Sequence, residues 1–409
     1  MNYQKKRKRN NLIFFNIKDF LPYLFLFLLP TQLGKHFFFS FSYISGLRVD
    51  YLAPTLYLID LVFSLILIFN LPLFFSFLRQ KKLILLLAIL GFNFLFSLSK
   101  PITFYSILRF FQFLFVFYFF YKKEVHYRFF LISLLSITIV EVFLAFYQLK
   151  YGRSYDGLFY FLGERHFNLS TPGIAKTAFF GQELLRPYGT FSHPNSLAGF
   201  YLLLYVFVLT HKGFDRYFWL KNLFLFLSSL LILFSFSKAA IVFFLIANLI
   251  FYFQKIKACR LCFLAKMITL FSVLLIFLSA KGDPLSLEKR KELVLQSLGI
   301  IKNHPFFGVG LGNYLLAQKN FSSSFLLFFN QPVHNVFLLL MAELGLPVFV
   351  LFLSFLVIFF KKNSKTIPST SYYLLLTIIF TGLFDHYWLT LKQNFLLLAI
   401  TFGMALKGS

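Results

Sequence analysis

Residues 129–149 read Phe129-Phe-Leu-Ile-Ser-Leu-Leu-Ser-Ile-Thr-Ile-Val-Glu141-Val-Phe-Leu-Ala-Phe-Tyr-Gln-Leu149. Glu141 is the one charge in this run. A bilayer core about 30 Å thick needs roughly 20 predominantly apolar residues per helix, so this stretch reads as a membrane span. The same test applied outward gives twelve candidate spans, near residues 20–35, 52–70, 82–99, 102–121, 129–149, 195–211, 220–236, 238–254, 263–280, 335–360, 371–387 and 393–407. Composition agrees. Of 409 residues, 59% are hydrophobic and 13% charged, and 66 are Phe. A soluble domain carries about 25% charged residues, so a water-soluble enzyme and a disordered chain are both excluded. The expected fold is all-α: one integral membrane domain, 1–409, with about twelve transmembrane helices.

Orientation is read from Lys and Arg, which gather on cytoplasmic loops. The basic start (Lys5, Lys6, Arg7, Lys8, Arg9, Lys18) places the N-terminus inside. The inside loops then hold Arg79/Lys81/Lys82, Lys122/Lys123/Arg128, Lys255/Lys257/Arg260/Lys266 and Lys361/Lys362/Lys365. Twelve spans put Lys407 inside as well. The net charge of +26 is therefore mostly a topology signal and not a nucleic-acid footprint. The N-terminal run lacks a small-residue cleavage site and is expected to stay as the first helix. Both termini are expected in the cytoplasm.

Two segments, 150–194 and 281–334, are too polar to span and fall outside in this topology. Loops of that length are usually functional. In the second, Asp283-Pro284 is a helix start, and a helix over about 284–303 places Leu287, Val294, Leu298 and Ile301 on one apolar stripe together with Arg290. This is the expected interfacial helix. A guanidinium there is costly without an anionic partner.

Several polar groups have both a functional and a plainer reading. Arg186, in Arg186-Pro-Tyr-Gly-Thr-Phe-Ser-His193-Pro-Asn195, could grip a phosphate through its planar fork or snorkel at the interface. His193-Pro194-Asn195 suits a turn capping the next span. His334, beside Asn335, could accept a hydroxyl proton or simply cap a helix. Gly345 and Pro347 suggest a kink after Glu343. Arg109, Glu141 and Asp60 lie at similar depth inside spans, which makes an Arg109–carboxylate pair an expectation. Gly308-Val-Gly310-Leu-Gly312 lacks the Lys of a P-loop and reads as a turn. Cys259 and Cys262 form a lone C-x-x-C, too little for a zinc site. Asp385-His386 is an acid–base pair or a polar helix end. No cluster has metal-ligand spacing, so neither metal nor cofactor is expected.

In order, Arg186-Pro-Tyr-Gly-Thr-Phe-Ser-His-Pro-Asn195, Arg290 with Ile301-Lys-Asn-His-Pro-Phe-Phe-Gly-Val-Gly-Leu-Gly-Asn313, His334-Asn335 with Glu343-Leu-Gly-Leu346, and Phe384-Asp-His-Tyr387 resemble the O-antigen ligase / Wzy-type polymerase family across roughly residues 180–390. The resemblance implies a metal-independent, inverting membrane glycosyltransferase. Arg186 and Arg290 would bind the pyrophosphate of an undecaprenyl-linked glycan, His334 would activate the acceptor hydroxyl, and His193 and Asn335 would line the substrate. The partners implied are a lipid-linked oligosaccharide donor, membrane lipids, and an acceptor that is either lipid A–core or a growing glycan. Family members often carry Ser-Arg where this chain has Ser237-Lys238; Lys keeps the charge but loses the fork. A flippase or other transporter is the competing reading. It accounts for many spans and buried charges but not for Arg186, Arg290 and His334 in two long loops.

Overall fold

A computed structural model describes residues 16–179, 181–254, 268, 271, 273–275, 277–281, 285–321 and 330–407. The basic cluster Lys5–Arg9, the Cys259/Cys262 pair with its basic neighbours Lys255, Lys257, Arg260 and Lys266, and the Asp283-Pro284 helix start lie outside the described residues.

The chain is mostly helical, with the make-up of an all-α membrane protein. Helices α1 (Ile17–Leu28), α2 (Leu58–Phe69), α3 (Leu71–Leu78), α4 (Lys81–Leu95), α5 (Lys100–Lys122) and α6 (Tyr127–Tyr151) form the N-terminal part. Then come α7 (Pro194–Thr210), α8 (Phe218–Phe234) and α9 (Lys238–Gln254). Helix α10 (Leu285–Asn303) and the short α11 (Tyr314–Gln318) occupy the second polar segment. Helices α12 (Val336–Leu344), α13 (Leu346–Lys362), α14 (Ser369–Gly382), α15 (Tyr387–Thr390) and α16 (Lys392–Lys407) close the chain.

Among the described residues, three helical stretches are long and apolar enough to cross a membrane alone: Lys100–Lys122, Tyr127–Tyr151 and Lys212–Phe234. Helices α2 and α3, bent by 89° at Asn70, make a fourth as a pair. Twelve spans are more than helix length and composition support here. The predicted second span starts late, because residues 55–57 pair as a strand with 34–36. The predicted tenth is broken at Gly345 into α12 and α13.

That break has a physical cause. Gly345 has φ +81°, and a Cβ there would lie 2.3 Å from the Phe306 carbonyl oxygen. Gly308 (φ +65°) presses equally closely on the Glu343 backbone. Two turns are thus stacked: Val309 N–H donates to Ala342 O, Gly310 N–H to Glu343 O and Leu346 N–H to Pro305 O, at 2.8–3.0 Å. Only Gly tolerates both the left-handed backbone and the contact. Asn93 on α4 completes the joint, donating to Phe307 O and Glu343 O and accepting from Leu311 N–H. The glycine run is therefore a turn, and it is fastened to the break between α12 and α13.

Helix α7 is buried along almost its whole length, packed by α8, α14, α16 and α9. A helix apolar on every side belongs at a bundle centre. It sets the axis around which the polar ends of neighbouring helices converge. The two polar segments also meet: strand β1 (Lys176–Phe179) pairs with β2 (Gln182–Leu185) and, through Ala178 and Phe179, with Ala280–Lys281.

Helix α10 forms over the predicted range, but its packed stripe differs. Leu293, Gln296, Ser297, Ile300 and Ile301 are buried, while Leu287 and Leu298 are 76% and 48% exposed. The inner face tolerates Gln296 because it accepts a 2.8 Å bond from Gln318. In a membrane protein apolar side chains can also face lipid, so hydrophobicity alone does not mark the inner face. Arg290 still falls on the packed side, one turn from Leu293.

Candidate active site

The segment carrying Arg186 is clamped from α6. Glu141 accepts from the Thr190 backbone N–H at 3.1 Å and from its hydroxyl. Two turns on, Gln148 Oε1 accepts from Tyr188 and Gly189 N–H, and its Nε2 donates to Glu164 and to Gly189 O. Positions 141 and 148 share a helix face. Glu141 is therefore a clamp for this loop and makes no pair with Arg109.

From that held loop Arg186 reaches inward. Its Nε donates to Ser235 O (2.9 Å) in the break between α8 and α9, and Nη2 to Asn195 Oδ1 (2.6 Å). Asn195 Nδ2 donates to Asp385 Oδ2 at 2.8 Å. Asp385 Oδ1 accepts from the His386 N–H at 2.8 Å and lies 3.6 Å from His334 Nδ1. Arg186, Asn195, Asp385 and His334 thus form one line across segments up to 199 positions apart in sequence. The His334 and His386 ring centroids are 5.1 Å apart. His386 Nδ1 bonds the Thr390 hydroxyl at 2.8 Å.

Charge in this cluster is not balanced. Arg186 uses two of a guanidinium's five N–H groups and has no carboxylate in ion-pair contact. Burial pulls its pKa down to about 10, with Arg290 adding to the depression and Tyr188 and Asp385 opposing it; it stays charged at neutral pH. Arg290 acts electrostatically on both Arg186 and His386. Burial, then Arg186, hold His193 down to about 3, so its imidazole is neutral. Its Nδ1 accepts the Asn195 N–H at 3.1 Å, the helix cap expected from the sequence. His334 Nδ1 is a buried atom with no hydrogen-bond partner.

Hydrogen bonds and close approaches join Arg186, Asn195, Asp385 and His334, and Arg290 is coupled to them electrostatically. Arg186, Arg290, His334 and His193 take part in one electrostatic cluster. Asn335 caps α12 by accepting from Phe337 and Leu338 N–H, and its amide donates to Leu383 O. It ties the His334 turn to the loop carrying Asp385. Lys238 is exposed, with its ammonium 5.7 Å from the Phe277 ring centre. Asp385 and Asn195 are what sequence reading left unassigned; the ionisable pair at the end of an apolar segment was the available signal for the first. Donor atoms of His334, Asp385 and His386 lie within 4.8 Å of one another, a set that could hold a cation and that residues 51 and 52 positions apart do not reveal as spacing. Arg186 and Arg290 oppose a further positive charge there.

Residues 223–353 match the Wzy_C family model, O-antigen ligase. Over that segment the chain is similar to the O-antigen ligase family. No curated relative matches it. The matched segment holds Ser235, Arg290 and His334; Arg186, Asn195 and Asp385 lie on either side of it, and folding brings them to it. The match supports activity of the O-antigen ligase or polymerase type in a membrane glycosyltransferase-like protein, acting on a lipid-linked glycan and an acceptor.

Proposed function

We propose that the chain transfers a glycan from undecaprenyl pyrophosphate to an acceptor hydroxyl on the external face of the bacterial inner membrane, in surface polysaccharide assembly. The observation that carries this is the line Arg186–Asn195–Asp385–His334 with Arg290 beside it. Transfer forms a bond between the acceptor oxygen and the anomeric carbon and breaks the bond from that carbon to the pyrophosphate. The departing diphosphate gains negative charge. Arg186 and Arg290 are permanently charged donors, Arg186 using two of its five N–H groups among the described residues, and fixed donors aimed at developing charge are worth several kcal/mol in a dry site. In this reading no metal is needed for that role.

The acceptor must lose a proton. With hydrogen on Nδ1 directed toward Asp385, His334 Nε2 is the basic nitrogen; Asp385 then orients the ring and stabilises the imidazolium that forms. The acceptor attacks opposite the leaving group in a single displacement, which inverts the anomeric centre. Asn335 and His193 position the two turns that carry His334 and Arg186. Liposomes holding the full chain, a lipid-pyrophosphate glycan and candidate acceptors test this. Glycan-bearing acceptor is the expected product, and its size separates single attachment from chain extension. Release of transfer from any dependence on Arg186 and His334 would overturn the assignment.

A further inference from the structure

The segment between α1 and α2 contributes to the site in a way that neither the family match nor the motifs indicate. Tyr51 sits in a turn whose neighbours Val49 and Leu52 are buried with Leu293 and Ile300 of α10. Its own ring is 42% exposed and meets His386 edge-on, with centroids 5.9 Å apart. Part of the Tyr51 residue is thus accessible beside the imidazole pair. Arg165 approaches from the other long loop. One N–H donates to Ser192 O at 2.8 Å, next to His193, and the guanidinium lies 5.5 Å from the Tyr188 ring centre. The preceding Glu164 is locked by Gln148 and by the Tyr155 and Asp156 N–H groups. Arg165 is therefore an exposed but anchored fork with most of its donors unspent. Arg165 and Asp385 both act electrostatically on the Tyr51 hydroxyl.

We infer that Tyr51 and Arg165 form a sugar subsite that holds the first sugar of the lipid-linked glycan, the one bonded to pyrophosphate. This rests on the transferase reading above. That sugar must sit between the diphosphate arginines and the base, and Tyr51 is one ring removed from His334. An aromatic face packs against the C–H face of a sugar ring while its rim remains wet. A guanidinium fork suits a carboxylate or the carbonyl of an acylamino substituent. Tyr51 and Arg165 act on recognition and not on the reacting bond.

Direct binding to the full chain in nanodiscs tests this, using two probes: undecaprenyl pyrophosphate alone and the same lipid bearing its glycan. Tyr51→Ala and Arg165→Ala are each expected to weaken the glycan-bearing lipid by about tenfold, roughly 1.4 kcal/mol. Both should leave the bare carrier within about twofold, and Tyr51→Phe should bind both lipids as the native chain does. Unchanged glycan-lipid binding, or equal loss for both lipids, overturns the subsite. The measurement does not depend on turnover. A native chain that binds the glycan selectively yet transfers nothing would reject the transferase reading alone.

Discussion

Two clusters of buried charge sit in the same bundle and are built on opposite plans. Around Asp60, both carboxylate oxygens have partners. Lys392 pairs with one carboxylate oxygen, Gln112 donates to the same oxygen at 2.9 Å, and the Tyr57 N–H takes the other at 2.9 Å. The Lys392 ammonium also lies 5.4 Å from the Tyr57 ring centre. The adjoining cavity, lined by Thr31, Tyr57 and Gln393, is about 20 Å³, room for about one water. Around Asp385 fewer groups are satisfied: Arg186 reaches the carboxylate only through Asn195, and the buried His334 Nδ1 has no hydrogen-bond partner among the described residues. A buried polar group without a partner costs free energy, so in the proposed reading the open cluster belongs to a ligand and the closed one to architecture.

The sharpest way to break this contrast is to remove charges from the open cluster. Arg186→Ala, Arg290→Ala and His334→Ala should each lower glycan transfer by about 10³-fold or more, with membrane insertion and thermal stability close to native. Initial rates in liposomes, beside melting curves, check it. If these variants instead unfold while keeping specific activity, the open cluster is structural.

The closed cluster should respond in the reverse sense. Asp60→Ala leaves Lys392 buried and unpaired, a loss of about 3–5 kcal/mol, seen as a lower melting temperature and poor yield. The double variant Asp60→Leu/Lys392→Met should regain most of that stability, since an apolar pair of similar volume is often neutral. Failure of the double variant to recover would mean that the ion pair has work beyond holding α2 to α16.

Asn195 measures how tightly the open cluster is wired. Asn195→Ala should reduce transfer by about 10–100-fold, the range seen when a group that orients a functional side chain is lost. Asn195→Asp should be worse than Ala, because it sets a second carboxylate against Asp385 while its charge draws Arg186 away from the diphosphate. Rates of the two variants, normalised to folded protein, decide between relay and simple packing.

The contrast also explains what could be read from sequence. Apolar run length located most of the helices, because a bilayer core imposes it on each segment separately. Arg186 and His334 each have a plain reading from the residues alone, and the site roles of Arg186, Arg290 and His334 come from the family resemblance. The partners of those groups were hidden. Asp60 meets Lys392 across 332 positions and Asn195 meets Asp385 across 190. No local periodicity encodes such contacts. Tyr51 and Arg165 lie in segments of ordinary composition and gave no signal. The α10 stripe was misplaced for a related reason: Gln296 is an inner residue only because Gln318 comes to meet it.

The smallest effect tests the depth-matching argument that paired Arg109 with a carboxylate. In the fold Arg109 donates to the Thr390 carbonyl at 3.3 Å and lies 6.0 Å from the ring centres of Tyr105 and Phe395. Asp60 is taken by Lys392, and Glu141 by Thr190. Equal depth in a bundle does not fix azimuth, so residues at one level can face different neighbours. Arg109 touches the open cluster only through Thr390, whose hydroxyl holds His386. Arg109→Gln should therefore cost transfer less than about tenfold. The swap Arg109→Asp/Asp60→Arg should fare worse than Arg109→Gln, whereas the swap Asp60→Lys/Lys392→Asp should recover part of the stability that Asp60→Lys alone loses. Rescue by the first swap and not the second would return the pair to Arg109 and reverse the assignment of the closed cluster.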